Sequence, residues 1–364
     1  MTLGISSHER GVTPLVPEAS SLLDRVLAAA LAPRPLADSD ALALLSPSEV
    51  PLLALLQAAF VVRERHFGRR VRIHVLNNAQ NGSCPEDCSY CAQAKNSQAP
   101  IERYRLKDDD QILAEAGSAH AAGAYRYCVV LSGRGPSARR VEWLAQLVRR
   151  IKTTYPPLEV CISAGLLDEA GARVLKEAGL DRYNHNLNTS AERYAQICTT
   201  HGYGDRVATL EAARGAGIDV CSGLIIGMGE QPAEVVELAQ TLRRLGARSI
   251  PVNFYVHVPG AALGPVDQLT PEYGLRVLCL FRLANPDAEI RAAGGREVNL
   301  RALEALALYP ANSLFAEGYL NTPGHAADRT IRLIHDAGFE VERDGFVAEA
   351  SPGAGARASV AQRC

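Results

Sequence analysis

A regular alternation of two kinds of segment, from residue 71 to residue 337, constrains the fold of this chain most strongly. Short runs rich in β-branched residues predict strands near 71–78, 125–131, 158–163, 180–186, 218–225, 248–256, 288–292 and 312–315. Amphipathic runs predict helices near 108–122, 139–153, 168–178, 205–216, 232–245, 271–284, 299–307 and 325–337. Eight strand–helix pairs in one series predict an α/β fold, a (β/α)8 TIM-type barrel. An open doubly wound sheet is the alternative, because the last strand is short.

The segments on either side of this series differ from it in pattern. Residues 1–66 contain amphipathic stretches near 21–32 and 51–67 and predict an N-terminal helical extension. Residues 67–340 form the predicted barrel. Residues 341–364 end in EASPGAGARASVAQRC, a composition of small and polar residues that predicts a C-terminal segment with a disordered tail.

Composition and charge exclude several classes of protein. Hydrophobic residues make up 47% of the chain and charged residues 21%, which are globular proportions. The net charge of −2 offers no basic field for nucleic acid or an anionic membrane. No run of about 20 apolar residues is present to span a bilayer, and the start MTLGISSHERG lacks a secretory pattern. The sequence therefore predicts a cytoplasmic protein.

Three of the nine cysteines are close together in the sequence. Cys84, Cys88 and Cys91 lie in NGSCPEDCSYCAQ, between the first predicted strand and the first barrel helix. That loop follows the carboxyl end of a strand, where barrel active sites are built. Three thiolates can hold a four-iron cluster and leave one iron open to a further ligand. A zinc site, which favours four ligands, and coincidental core thiols are the alternatives.

A second set of candidate ligands is spread over four predicted strands. Cys128, Cys161 and Cys221 each lie in the middle of a strand, and Arg291 lies on the seventh strand. A single cysteine in such a place is usually a small core residue. A buried arginine without a partner is expensive, so it needs a reason. If all four side chains point inward, they surround one centre inside the barrel.

Polar amides follow the fourth predicted strand. Period-2 alternation in YNHNLNT places Asn184, Asn186 and Asn188 on one face, towards the barrel interior. Turn-forming amides at a strand end are the alternative interpretation.

The cysteine loop resembles a known family. CPEDCSYC at 84–91 is similar to the signature of the radical S-adenosylmethionine enzymes. This resemblance implies that Cys84, Cys88 and Cys91 hold a [4Fe-4S] cluster, whose open iron binds S-adenosyl-L-methionine. Four further segments, YNHNLNTS (183–190), CSGLIIGMGE (221–230), SIPVNF (249–254) and RAAGGRE (291–297), make the chain resemble the biotin synthase family from about residue 20 to 345.

The resemblance to biotin synthases implies an enzyme, a sulfurtransferase that completes biotin biosynthesis. It would insert sulfur between carbons 6 and 9 of dethiobiotin, consuming two S-adenosylmethionine and yielding methionine and 5′-deoxyadenosine. The resemblance also implies a flavodoxin or ferredoxin electron donor, iron–sulfur assembly proteins as partners, and a homodimer. Another radical enzyme on the same barrel and an iron–sulfur electron carrier are the rival hypotheses.

The same resemblance assigns individual residues. It implies a [2Fe-2S] cluster held by Cys128, Cys161, Cys221 and Arg291. It places the cofactor against Tyr90, Asn186, Asn188, Gly223, Ile225 and Gly227, and the substrate against Asn186, Asn253, Asn321 and Thr322. Some family members have Thr at the position of Asn321. Cys198, Cys279 and Cys364 match no cluster position, and we expect two packing thiols and one tail thiol.

Overall fold

The structure is a computed structural model that describes residues 17–266, 269–316, 320–321, 324 and 326–342, with the backbone alone for 17–20. Thr322, Cys364 and residues 343–364, which include the predicted tail, lie outside the described residues. All other predicted site residues lie within them.

Eight parallel strand positions close into a barrel, which confirms the predicted fold class and excludes the open sheet. The pairing runs from β1 through β5 to β7, β8 and β9, and β9 pairs with β1 to close the ring. A short tenth strand pairs with the start of β1 outside this ring. The strands are β1 (Arg70–Gln80), β2 (Arg126–Leu131), β3 (Glu159–Ser163), β4 (Arg182–Asn184), β5 (Asp219–Cys221), β6 (Leu224–Ile226), β7 (Ser249–Phe254), β8 (Glu289–Ala292), β9 (Ser313–Phe315) and β10 (Glu340–Val341).

Helices surround the barrel, and several of them bury one apolar face while α10 is buried on all sides. On α5, for example, Val141, Leu144, Val148 and Ile151 share a buried face. Five glycines that follow helices have positive φ between 67° and 90°, the conformation that commonly ends a helix: Gly123, Gly179, Gly217, Gly246 and Gly338. The helices are α1 (Pro17–Leu31), α2 (Asp38–Leu45), α3 (Leu52–Phe67), α4 (Asp109–Ala121), α5 (Ala138–Thr154), α6 (Glu169–Glu177), α7 (Tyr194–Ile197), α8 (Tyr203–Gly215), α9 (Pro232–Arg244), α10 (Pro271–Ala284), α11 (Arg296–Leu300), a 3₁₀ helix (Arg301–Leu308) and α12 (Ala327–Asp336).

Two predicted elements differ from the structure. The fifth strand, expected at 218–225, is split into β5 and β6 around Ser222 and Gly223. A Cβ on Gly223 would lie 1.9 Å from the Pro251 carbonyl oxygen, so only glycine allows this close approach. The helix expected at 299–307 is α11 followed by the 3₁₀ helix, because Arg301 has a φ of 52° and interrupts it.

The N-terminal helices lie at the amino end of the barrel. Arg63 on α3 donates to the carbonyls of Ala311 and Arg70, which precede or begin β9 and β1. Arg276 on α10 donates to the carbonyl of Leu44 at 3.1 Å and joins α2 to the barrel helices. The carboxyl ends of the strands are therefore left for a site. None of the helices in the described ranges is long and apolar enough to cross a membrane.

Candidate active site

One cavity occupies the carboxyl ends of the barrel strands. Its volume is about 280 Å³, which is far larger than a packing defect and has room for several water molecules. The predicted site residues that line it are Cys84, Cys88, Tyr90, Cys91, Cys128, Cys161, Asn186, Asn188, Cys221, Ile225, Asn253, Arg291 and Asn321. Two predicted cofactor residues, Gly223 and Gly227, are not among its lining, and the backbone nitrogen of Gly227 instead donates to Glu230 at 2.7 Å.

The loop after β1 folds back on itself and brings the first three cysteines to the rim of this cavity. The Cys84 nitrogen donates to the carbonyl of Gln93, and the Cys91 nitrogen donates to the carbonyl of Cys88 at 3.0 Å. Cys88 is buried, whereas Cys84 and Cys91 are partly exposed. Burial raises the pKa of Cys84 and of Cys91, so both are thiols until a metal displaces their protons.

The strands bring the second set of cysteines together inside the barrel. Cys128 and Cys161 lie directly opposite each other on β2 and β3. Cys221, at the end of β5, receives a hydrogen bond from the Asn184 amide at 3.2 Å. All three are buried. A hydrogen bond with Cys128, together with burial, raises the pKa of Cys161 well above its ordinary value.

Arg291 joins the strand cysteines but is not an unpartnered cation. Its Nη1 lies 4.0 Å from the Cys221 sulfur, and its Nη2 donates to Ser249 Oγ at 2.8 Å and to the Glu289 carboxylate. Burial lowers the pKa of Arg291, but the charge of Glu289 outweighs burial and keeps it above its ordinary value. The guanidinium is also packed over the Phe315 ring, with 5.0 Å from Cζ to the ring centre.

A buried charge network lies under the strand cysteines and was not predicted from the sequence. Glu289 accepts hydrogen bonds from Arg126 and Ser249, each at 3.0 Å, and lies 3.1 Å from His74 Nε2. Burial would raise the pKa of Glu289, but the charges of Arg126 and Arg291 hold it well below its ordinary value. Period-2 alternation could have indicated this network. Arg126 precedes Cys128 by two residues and Glu289 precedes Arg291 by two, so the members of each pair lie on the same face of their strand.

Cys198, expected to be a packing thiol, contacts Cys88 of the cysteine loop. Its sulfur lies 3.7 Å from the Cys88 sulfur and 3.4 Å from both His201 Nδ1 and Asp87 Oδ1. A hydrogen bond donated by Cys88 lowers the pKa of Cys198 to about 4. Cys279 lies on α10 in the hydrophobic core, as a packing thiol would. The position of Cys198 depends on a tertiary contact more than 100 residues away in sequence, which no local pattern reports.

The three amides at and after the end of β4, Asn184, Asn186 and Asn188, all line the cavity, although the predicted alternation does not continue to the third. The strand ends at Asn184, and Asn188 has a left-handed φ of 69°. Asn188 donates to the Tyr90 hydroxyl, which fixes the aromatic ring beside the cysteine loop. Asn186 Oδ1 accepts from the Gly223 nitrogen at 3.1 Å, so the glycine supports the cavity wall through its backbone.

The predicted substrate amides are already engaged within the protein. Asn253 donates to the Leu224 carbonyl and accepts from the Gly294 nitrogen, both at 3.1 Å. One N–H and one lone pair of its amide remain for a ligand. Asn321 forms a reciprocal pair of hydrogen bonds with Asn81, at 3.0 and 3.1 Å.

Sequence comparisons agree with this geometry. Residues 81–242 match the Radical SAM superfamily, and residues 251–340 match the Biotin and Thiamin Synthesis associated domain. The chain is 66% identical over 302 residues to a biotin synthase of Magnetococcus marinus, an alignment that covers 83% of this chain and 94% of that protein. The chain belongs to the biotin synthase family. A biotin synthase of Acaryochloris marina is 56% identical over 303 residues, which cover 83% of this chain and 87% of that protein.

Membership of the biotin synthase family confirms the resemblance found in the sequence and makes the chain an enzyme. The Radical SAM superfamily implies a [4Fe-4S] cluster and S-adenosylmethionine. Among solved structures, a methylornithine synthase has a TM-score of 0.75 at 22% identity, covering 88% of this chain and 97% of its own. An FeFe-hydrogenase maturase from Carboxydothermus hydrogenoformans has a TM-score of 0.74 at 18% identity, covering 89% and 80% respectively. Biotin synthases thus share their fold with these enzymes, and the likeness shows the fold alone.

Proposed function

We propose that this chain performs the biotin synthase reaction in the cavity at the carboxyl ends of the barrel. The reaction inserts sulfur between carbons 6 and 9 of dethiobiotin and consumes two S-adenosylmethionine. One observation carries the proposal: two separate groups of three cysteines line the same cavity. This observation disfavours an iron–sulfur electron carrier, because such a protein does not need a second set of thiols beside a cavity large enough for a substrate.

Cys84, Cys88 and Cys91 would hold the [4Fe-4S] cluster. Three sulfur donors on one loop suit a cluster with one open iron, and the partial exposure of Cys84 and Cys91 suits a site that must admit a small molecule. When bound, the cluster and S-adenosylmethionine supply the one-electron chemistry that breaks unactivated C–H bonds. Tyr90 and Asn188, hydrogen-bonded to each other, would form the wall against which the cofactor rests.

Cys128, Cys161 and Cys221 would hold the [2Fe-2S] cluster, with Arg291 beside it. Three buried sulfur donors on β2, β3 and β5 suit a second iron–sulfur group. When bound, this group supplies the sulfur atom of the product. Glu289 favours the protonated form of Arg291, and only a neutral guanidine nitrogen can donate to iron. We therefore expect Arg291 to hold the cluster less strongly than the cysteines do, and to place positive charge beside the thiolates.

The substrate contacts rest on matched hydrogen-bonding groups. Dethiobiotin carries a urea, which offers both donors and acceptors, and the Asn253 amide retains one of each. Asn186 would contact both substrate and cofactor, with Ile225 beside it. Asn321 and Thr322 would hold the substrate carboxylate. Gly223 and Gly227 would act through the backbone that they shape.

The remaining partners follow from the chemistry of the family. A flavodoxin or ferredoxin would deliver electrons, and iron–sulfur assembly proteins would load and rebuild the clusters. We also propose a homodimer and a cytoplasmic location, both of which rest on the resemblance to the family.

The experiment that tests this function is substrate dependence. Anaerobically reconstituted protein, given a reductant and S-adenosylmethionine, should form 5′-deoxyadenosine faster when dethiobiotin is present, and should form biotin. Cleavage that ignores dethiobiotin and yields no biotin would favour another radical reaction on the same barrel.

A further inference from the structure

A third group of metal-binding side chains lies beside the cysteine loop and shares one member, Cys88, with the loop set. Its ligand atoms are the sulfurs of Cys88 and Cys198 and a ring nitrogen of His201, which all lie within 4.8 Å of one another. The two sulfurs are 3.7 Å apart, and the Cys198 sulfur is 3.4 Å from His201 Nδ1. All three residues are buried, so solvent does not compete freely for a cation bound there.

These separations fit the edges of a zinc coordination tetrahedron. Zn–S bonds of about 2.3 Å and Zn–N bonds of about 2.0 Å give edges of about 3.8 Å between two sulfurs and about 3.5 Å between sulfur and nitrogen. The observed 3.7 and 3.4 Å agree with both. A fourth ligand is within reach, because Asp87 Oδ1 is 3.4 Å from the Cys198 sulfur and Glu86 contacts His201 Nδ1.

Neighbouring groups orient the imidazole and balance the charge. His201 Nε2 lies 2.8 Å from the Tyr194 hydroxyl, a contact of the kind that fixes the ring of a metal-bound histidine. Two thiolates neutralise a divalent cation, and the carboxylates of Glu86 and Asp87 add negative charge. Arg206, which lies 3.0 Å from His201 Nε2, opposes a cation, and those carboxylates compensate for it.

We propose that the chain without its clusters binds one divalent cation of the zinc class at Cys88, Cys198, His201 and an adjacent carboxylate. Because Cys88 belongs to this site and to the cysteine loop, the cation and the [4Fe-4S] cluster exclude each other. This second part rests on the proposed cluster ligation by Cys88. A bound cation would hold Cys88 as a metal thiolate until the cluster is delivered.

Cobalt(II) provides a direct spectroscopic probe of the site. The test uses full-length protein carrying Cys84→Ala and Cys91→Ala, which removes the other two loop thiols. Titration under anaerobic, reducing conditions should give one tetrahedral site with sulfur-to-cobalt charge-transfer absorption, and zinc should displace the cobalt. Adding Cys198→Ala or His201→Ala should weaken cobalt binding by about tenfold or more, whereas adding Cys279→Ala should leave it unchanged.

Two results would overturn the site. The first is cobalt absorption that persists in the Cys198→Ala variant, because Cys198 would then not be a ligand. The second is absorption that is lost only with Cys161→Ala, since the strand cysteines would then be the ligands. Circular dichroism of each variant identifies any that fail to fold, and His201→Gln replaces His201→Ala if that variant does.

A competition experiment separates the shared ligand from the site itself. In otherwise unaltered protein, zinc added before iron and sulfide should lower the amount of [4Fe-4S] cluster formed, and Cys198→Ala should remove this inhibition. If cobalt binds as expected but zinc leaves cluster formation unchanged, the third site stands and the assignment of Cys88 to the cluster is wrong.

Discussion

The two cysteine sets occupy one cavity but are built on different scaffolds. Cys84, Cys88 and Cys91 lie on a loop whose backbone folds back at the barrel rim. Cys128, Cys161 and Cys221 project from three strands, where pairing to neighbouring strands fixes each position. A loop can present three ligands and leave a fourth direction open, whereas strand ligands enclose whatever they hold.

Their surroundings differ as much as their scaffolds. The loop set has two partly exposed thiols and adjoins Cys198 and His201. The strand set is wholly buried above the charge network of Glu289, Arg126 and Arg291. The rim set is therefore suited to binding an exchangeable small molecule. The inner set is suited to keeping a reactive group away from water.

The largest expected effect is on the rim set. Cys91→Ala removes one of the three ligands of the only centre proposed to bind S-adenosylmethionine, so cleavage should fall to background. Measuring 5′-deoxyadenosine by chromatography checks this, with Cys279→Ala as a matched change of a buried thiol. Normal cleavage in the Cys91 variant would contradict the assignment.

The next largest effect concerns the network under the inner set. Glu289→Gln leaves Arg126 and Arg291 without a buried counter-charge, and we expect a loss of about 3–5 kcal/mol in the free energy of unfolding. Urea denaturation measures this loss. The same change at the exposed Glu169 should stay within about 0.5 kcal/mol. Equal stability of the two variants would show that the network is not needed.

The third prediction ranks the members of the inner set. Cys161→Ala should remove the inner iron, while Arg291→Ala should retain much of it, because a thiolate is a far stronger iron ligand than a guanidinium held in its protonated form. Iron analysis and visible absorption of reconstituted protein report both. If Arg291→Ala loses the inner iron and Cys161→Ala keeps it, the predicted ranking of the cysteine above the arginine is wrong.

The smallest effect concerns the substrate wall. Asn253→Ala should weaken dethiobiotin binding by about 1–3 kcal/mol, the cost of leaving buried urea groups unpaired, and should affect S-adenosylmethionine less. Calorimetry with each ligand measures the difference. Asn285 is a matched control, since it is a buried amide bonded to two backbone carbonyls away from the cavity. Equal losses for both ligands would refute the placement of Asn253.

The sequence allowed the barrel to be predicted because its periodicity is local. Each strand and helix carries its own pattern, and Gly246, with a positive φ, follows the end of a helix as its position in the sequence suggests. The exceptions have physical causes: Gly223 splits a strand through a close contact with Pro251, and Arg301 interrupts a helix. Neither the contact of Gly223 with Pro251 nor the backbone conformation of Arg301 can be predicted from the neighbouring residues alone.

The site could be predicted only in part, because several of its contacts join residues that are far apart in the sequence. Three cysteines in eight residues form a local motif. The strand cysteines were candidates from their strand positions, and the family resemblance assigned them to a cluster. Glu289 was not predicted because two of its partners, Arg126 and His74, come from other strands, although a third, Arg291, lies two residues along its own strand. The contact of Cys198 with Cys88 joins α7 to the loop after β1 and depends on the folded barrel.

The central claim is that two cysteine sets build two separate iron–sulfur centres, and Mössbauer spectroscopy of anaerobically reconstituted protein tests it most directly. The account predicts two components, one from a [4Fe-4S] cluster and one from a [2Fe-2S] cluster. Cys91→Ala should remove only the first component, and Cys161→Ala should remove only the second. A single type of cluster in the unaltered protein, or loss of the same component in both variants, would contradict the account.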